Sequence, residues 1–246
     1  MSGEPLNPKG AGDMAQSRSD LKLRVMSAAA MLLVAGGAFW FGGPVLDLFI
    51  ALVSFATLIE LMKLVELASE KPLVRIAGAL AGAAYVGAAA ISLMALPSLL
   101  VGIVVGIVIC TDTGAYFAGR RYGRRKIAPA ISPSKTWEGL TGGMIAAGMF
   151  TALAFGFMAL ALSALSPGKP GIPWPAMLIG GATGAVLAVA AQAGDFLESW
   201  LKRKAGVKDS GKIIPGHGGV FDRVDGLLPV AIIAGLVSLI YRVTIS

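Results

Sequence analysis

Seven apolar runs dominate the sequence and leave it one class of fold. They lie near Val25–Phe41, Val45–Leu67, Leu73–Ala95, Leu99–Ala118, Leu140–Leu165, Trp174–Gly194 and Leu227–Tyr241. About twenty such residues cross the roughly 30 Å hydrocarbon core as a helix. Within that core every backbone N–H and C=O must be satisfied inside the protein, which a helix does by itself. The expectation is an all-α, polytopic integral membrane bundle of about seven transmembrane helices. Charged residues make up only 14% of the chain and hydrophobic ones 56%, against roughly a quarter charged in soluble domains. The 33 glycines suit helices whose backbones approach closely in lipid. A secretory leader is the other reading of the first run. It lacks a convincing small-x-small cleavage site and a second run follows at once, so a retained hairpin is expected.

Charge orients the bundle. Residues 1–20 are polar and aperiodic and read as a disordered cytoplasmic tail. Of the 21 Lys and Arg residues, all but Lys169 and Arg242 fall in that tail, at the start of the first run, or at the connections after the second, fourth and sixth runs. Basic residues stay on the cytoplasmic side, so the N-terminus and both large polar segments are expected there. The same rule explains the net charge of +7 without nucleic acid. Cys110 is the only cysteine, so no internal disulfide forms. No GxxxxGK[ST] loop and no GxGxxG with a suitable acid is present.

Carboxylates near apolar runs are expensive, at about 2.5–3.5 kcal/mol for an acid at mid-bilayer. The sixth run ends in AGDFLESWLKRK, where Asp195, Glu198, Ser199 and Lys202 share one helical face. The seventh begins with FDRVDG, placing Asp222 and Asp225 at i, i+3. Two readings are open: a divalent ion held by Asp195 and Asp222, since hard dications take oxygen ligands, or ion pairs with Lys202, Arg203, Lys208 and Arg223. Asp112 in CTDTGAYFAGR ends the fourth run, either beside that ion or as a hydrogen-bonded helix-end acid. Glu60, Lys63 and Glu66 close the second run as an interfacial charge pattern with no assigned chemistry.

Two polar loops complete the pattern. KDSGKIIPGHGGVFDRVDG holds the sole histidine, His217, in a Pro/Gly-rich turn that cannot be helix. Gly218 and Gly219 could let backbone N–H groups meet phosphate oxygens, with Lys208, Lys212 and Arg223 nearby; His217 is either a ligand or a structural loop residue. GRRYGRRKIAPAISPSKTWEG carries a basic cluster, which reads as a topology anchor at anionic headgroups. Its SPSKTWEG part offers Ser134 and Lys135 to a phosphate, or is simply a helix N-terminus beside the interfacial Trp137.

Ser199, Lys202, Arg203, Lys208, Asp209, Pro215–Gly219, Asp222, Arg223 and Asp225 fall at the spacing Ser-x-x-Lys-Arg, four residues, Lys-Asp, five residues, Pro-Gly-His-Gly-Gly, two residues, Asp-Arg-x-Asp. With GDFLES and SPSKTWEG upstream, the chain resembles the phosphatidate cytidylyltransferases, or CDP-diacylglycerol synthases. The motifs cover roughly Cys110 to the C-terminus. The resemblance implies a multi-pass enzyme of a bacterial inner membrane that joins CTP to phosphatidic acid with Mg²⁺ and releases pyrophosphate. It implies Asp195 and Asp222 as metal ligands, with Lys208, Arg223 and Asp225 beside them in the catalytic set. Ser134, Lys135, Ser199, Lys202, Arg203, Lys208, His217, Gly218 and Gly219 would bind substrate. Residues 21–98 would then be N-terminal transmembrane helices and 99–246 the catalytic region, with its signature at 199–225. The family often has a second lysine where Ser134 stands, which leaves open how much phosphate charge that loop balances. Fewer helices than usual are expected before the catalytic half. A CTP-dependent polyprenol or phytol kinase, or a transporter, are the rival classes; a transporter would put its charges nearer the midplane. A homodimer through the GxxxG faces Gly78–Gly82 and Gly102–Gly106 is possible, although such faces serve equally within one bundle.

Overall fold

In the computed structural model, which describes residues 8–165 and 172–245, helices follow one another with little between them. They are α1 (Pro8–Phe41), α2 (Gly43–Ala68), α3 (Pro72–Ala95), α4 (Ser98–Tyr122), α5 (Trp137–Ala164), α6 (Trp174–Ala205), a single turn α7 (Phe221–Val224) and α8 (Leu227–Ile245). Seven of them contain stretches long and apolar enough to cross a membrane, and the protein is an all-α polytopic membrane protein. Local chemistry sets the ends. Pro44, Pro72 and Pro175 stand in the first turns of α2, α3 and α6, where a missing N–H costs nothing. Gly206, at φ 69°, closes α6 in the left-handed conformation that glycine adopts without strain.

Three boundaries differ from the sequence expectation. Residues 8–20, expected to be a disordered tail, are the opening turns of α1; Pro8 can begin a helix, and polar residues do not interrupt one where no packing is needed. Residues 1–7 of that tail lie outside the described residues, as does Lys169. Asp112 does not end its helix: α4 continues to Tyr122. Between α4 and α5 the chain forms an antiparallel hairpin, β1 (Lys126–Ala128) with β2 (Ser132–Thr136), pairing Lys126 with Thr136 and Ala128 with Ser132. Strands this short carry no readable alternation.

The bundle is apolar outside as well as inside. Leu33, Phe55, Leu80, Phe157, Leu162 and Val237 are all exposed, as side chains facing lipid are. Packing inside rests on small residues. A Cβ on Gly114 would lie 2.6 Å from the Gly142 carbonyl oxygen, and one on Gly148 3.0 Å from that of Gly181. The α4–α5–α6 seam is therefore backbone against backbone. The GxxxG faces are also spent within the chain: Gly78 packs on Val65, Gly82 on Leu61, and Gly106 on Phe150.

Candidate active site

The polar ends of α4 and α6, the hairpin and the segment before α8 enclose a cavity of about 820 Å³. Its lining includes Asp112, Asp195, Glu198, Asp222 and Asp225, interleaved with Arg120, Lys126, Lys135, Lys202 and Arg223. The face read from α6 is real: Asp195, Glu198, Ser199 and Lys202 all line it, and so do Ser134, Lys135 and His217.

The hairpin is pinned so that Lys135 reaches across. Thr136 caps α5 by accepting from the Gly139 N–H at 3.1 Å, a standard N-terminal arrangement. Glu138 accepts from the backbone N–H groups of Arg124 and Arg125, at 3.1 and 3.3 Å. With its ends held, the strand directs the Lys135 ammonium onto Asp195 of α6.

The opposite wall is irregular chain folded around Asp222. Its Oδ2 accepts from the Gly219 N–H at 2.8 Å and from the Ser210 N–H and Oγ–H, each at 3.0 Å. Its Oδ1 faces Lys202 Nζ at 2.6 Å, and the same ammonium lies 2.6 Å from Glu198. Burial alone would raise the Asp222 pKa; the hydrogen bonds from Glu198, Lys202, Gly219 and Ser210 outweigh it and hold the carboxyl well below its usual range. Asp225 is the reverse case. Burial first, then the charges of Asp195 and Glu198, push its pKa up.

The glycine turn owes its shape to two left-handed positions, Gly216 at φ 76° and Gly218 at φ 83°, which other residues adopt at a cost. The Ile214 N–H donates to the Gly218 carbonyl at 3.0 Å, and Arg223 braces the turn by donating to the His217 carbonyl at 2.6 Å. The His217 ring pairs with Ser27 Oγ of α1 at 2.9 Å. A Cβ on Gly218 would come 2.8 Å from Asp222 Oδ2.

Several expected residues sit elsewhere in this arrangement. The Gly219 amide, expected to face phosphate, is taken by Asp222. Arg203 does not line the cavity; it lies outside, donating to the Ile131 carbonyl at 3.4 Å, because its place on α6 is one step round from Lys202. Lys208 faces an adjoining basic pocket of about 500 Å³ that also includes Arg24 and Lys212. Asp195 and Asp222 line one cavity but keep different neighbours. Asp195 stands with Lys135, Asp112 and Asp225, and Asp222 with Lys202, Glu198 and the loop.

One residue expected only as part of an interfacial charge pattern is instead buried in the site's support. Glu60 of α2 is 1% exposed; its Oε2 accepts from the Phe221 N–H at 2.8 Å and shares the single Ser210 Oγ–H, at 2.9 Å, with Asp222. It thus grips the loop from beneath, on both sides of the glycine turn. The only sequence signal was an acid inside an apolar run. Glu198, noted for its helical face but given no role, is 2% exposed, and its Oε1 has no hydrogen-bond partner among the described residues.

Among the described residues no three Asp, Glu, His or Cys side chains form a ready-made metal cage. The donor set nevertheless fits a hard dication of the Mg²⁺ kind, which takes one or two carboxylates and completes its shell with water and substrate phosphates. The buried, unpartnered oxygen of Glu198 and the Lys202 ammonium between Glu198 and Asp222 mark places where positive charge is wanted.

Comparison with known proteins gives the family. A family model described as the cytidylyltransferase family matches residues 97–241. A protein named phosphatidate cytidylyltransferase from Brucella suis is 42% identical over 171 residues, covering 65% of this chain and 57% of the relative. Proteins of the same name from Haemophilus influenzae and Mycobacterium leprae are 44% and 39% identical over 121 and 127 residues, covering 49% and 52% of this chain and 39% and 36% of those relatives. The chain therefore spans a little over half the length of the Brucella protein. With the match running from the start of α4 into α8 and taking in both walls of the cavity, the chain belongs to the cytidylyltransferase family.

Proposed function

We propose that the protein is a phosphatidate cytidylyltransferase of phospholipid biosynthesis, transferring CMP from CTP to phosphatidic acid to give CDP-diacylglycerol and pyrophosphate. The observation that carries this reading is the interleaving of five carboxylates with lysines and arginines around one cavity at the basic end of a membrane bundle. Carboxylates alone would repel a triphosphate, and cations alone would not hold a metal. Both together suit a metal–nucleotide substrate.

In the reaction a phosphate oxygen of the lipid attacks the α-phosphorus of CTP. The bond from that phosphorus to the bridging oxygen breaks, and pyrophosphate leaves with the electron pair. Lys135, Lys126 and Arg120 on the hairpin side offset the charge of the departing group, and the Ser134 and Ser199 hydroxyls orient phosphate oxygens. Asp195 and Asp222 are the carboxylates that would hold Mg²⁺, which when bound draws charge from the phosphate oxygens. Asp225 lines the same cavity beside Asp195. CTP is soluble and the lipid chains stay in the bilayer, so the basic end belongs at the cytoplasmic face of the inner membrane, with the N-terminus inside. A homodimer would pair through faces other than the GxxxG stripes.

The test is purified protein with phosphatidic acid and CTP labelled at the α- or γ-phosphate, with and without Mg²⁺. The α-label is expected in the lipid phase only when Mg²⁺ is present. Transfer of the γ-label instead would mean a lipid kinase and overturn the reading.

A further inference from the structure

Arg223 lines three cavities at once: the carboxylate cavity, the basic pocket and an apolar groove of about 590 Å³. The basic pocket gathers Arg24, Lys208, Lys212 and Arg223 against a single acid, Asp209. The groove runs between Met31 and Phe39 of α1, Phe49 and Val53 of α2, and Val105 and Ile109 of α4, and Ile214 and Arg223 line both it and the basic pocket. Along α2 it extends from Thr57 to Leu46, about 16 Å at the helical rise. That is close to half of the roughly 30 Å hydrocarbon core, the reach of one acyl chain.

Cationic pocket and apolar groove, sharing two residues, are complementary to a molecule with an anionic head and a hydrocarbon tail. A soluble phosphate would account for the pocket and leave the groove unexplained. A nucleotide has nothing apolar of that length. We propose that the two together form the subsite of the acceptor lipid, with its phosphate among Arg24, Lys208 and Lys212 and one acyl chain between α1, α2 and α4. Arg223 then stands between the lipid phosphate and the nucleotide in the carboxylate cavity. This rests on the cytidylyltransferase reading for the identity of the lipid. It also gives α1, which lies outside the matched residues 97–241, a part in the site. The Ser27–His217 hydrogen bond and the contact of Arg24 with Gly216 hold α1 against the glycine turn.

The test uses the full chain in phosphatidylcholine nanodiscs containing a phosphatidic acid with a diazirine on its acyl chain. Photolabelling is expected on Met31, Val53 or Val105, competed by dioleoyl phosphatidic acid and not by glycerol 3-phosphate. Label confined to outward residues such as Phe157 and Val237 would overturn the proposal. In kinetics, Arg24→Ala, and Ala35→Trp to fill the groove, should each raise KM for dioleoyl phosphatidic acid about tenfold, the loss of a charge contact or of a few buried methylenes, and leave KM for CTP unchanged. Ala30→Phe serves in place of Ala35→Trp if the latter does not yield folded protein. A rise in KM for CTP, or no change in either constant, also overturns it. The two readings fail separately: groove labelling without CTP turnover removes the proposed reaction alone, and normal turnover with label elsewhere removes the lipid subsite alone.

Discussion

The two walls of the cavity hold their acids by different means. On α6, Asp195, Glu198 and Lys202 are aligned by helical periodicity, and the α4–α5–α6 seam behind them is backbone packed on backbone. The facing wall has only the single turn α7 to carry Asp222. It is aimed by three hydrogen bonds to one oxygen and by Glu60 gripping the same loop from another helix. A charge placed by a helix survives loss of its neighbours, whereas a charge placed by a loop depends on every contact that shapes it.

That contrast can be broken most directly at Asp222. Asp222→Asn should lower CTP-dependent turnover by about 10³-fold with membrane insertion intact; near-normal turnover in the purified variant would show that the loop wall does no chemistry. Glu60→Ala should act without touching the cavity. It leaves the Phe221 N–H buried without an acceptor and the Ser210 hydroxyl with Asp222 alone, while also removing a buried carboxylate that has no ion-pair partner among the described residues. The net expected cost is on the order of 2 kcal/mol. Hydrogen exchange should quicken over residues 210–221 and stay unchanged in α6; equal protection on both walls would remove the distinction between them. The smallest effect belongs to Arg203→Ala, which should change turnover less than about twofold, as expected of an exposed site away from the chemistry. A large loss would mean that Arg203 leaves the Ile131 carbonyl and enters the cavity.

The same contrast explains what could be read from sequence. The seven spans and the α6 face follow from hydropathy and a 3.6-residue period, which are local properties, and the structure has both. The glycine turn could be recognised as non-helical, but the destination of its Gly219 amide could not, because that depends on Asp222 folding back upon it. Glu60 and Ser210 meet across a large sequence separation, and no spacing rule connects them. The hairpin was missed because SPSKT has neither alternation nor β-branched residues enough to mark a strand. Arg203 and Lys202 differ by one position, and only the helix's rotation decides which of them meets Asp222.

The glycine-to-carbonyl seam of α4, α5 and α6 has one more consequence. Where carbonyl meets glycine, at Gly114–Gly142 and Gly148–Gly181, those helices have little room to shift past one another. The other side is built differently: α1 has α2 as its main neighbour and is moored to the turn through Ser27 and His217. The half of the molecule that sets the electrostatics is thus its most closely packed half, and the half beside the apolar groove is held by fewer ties.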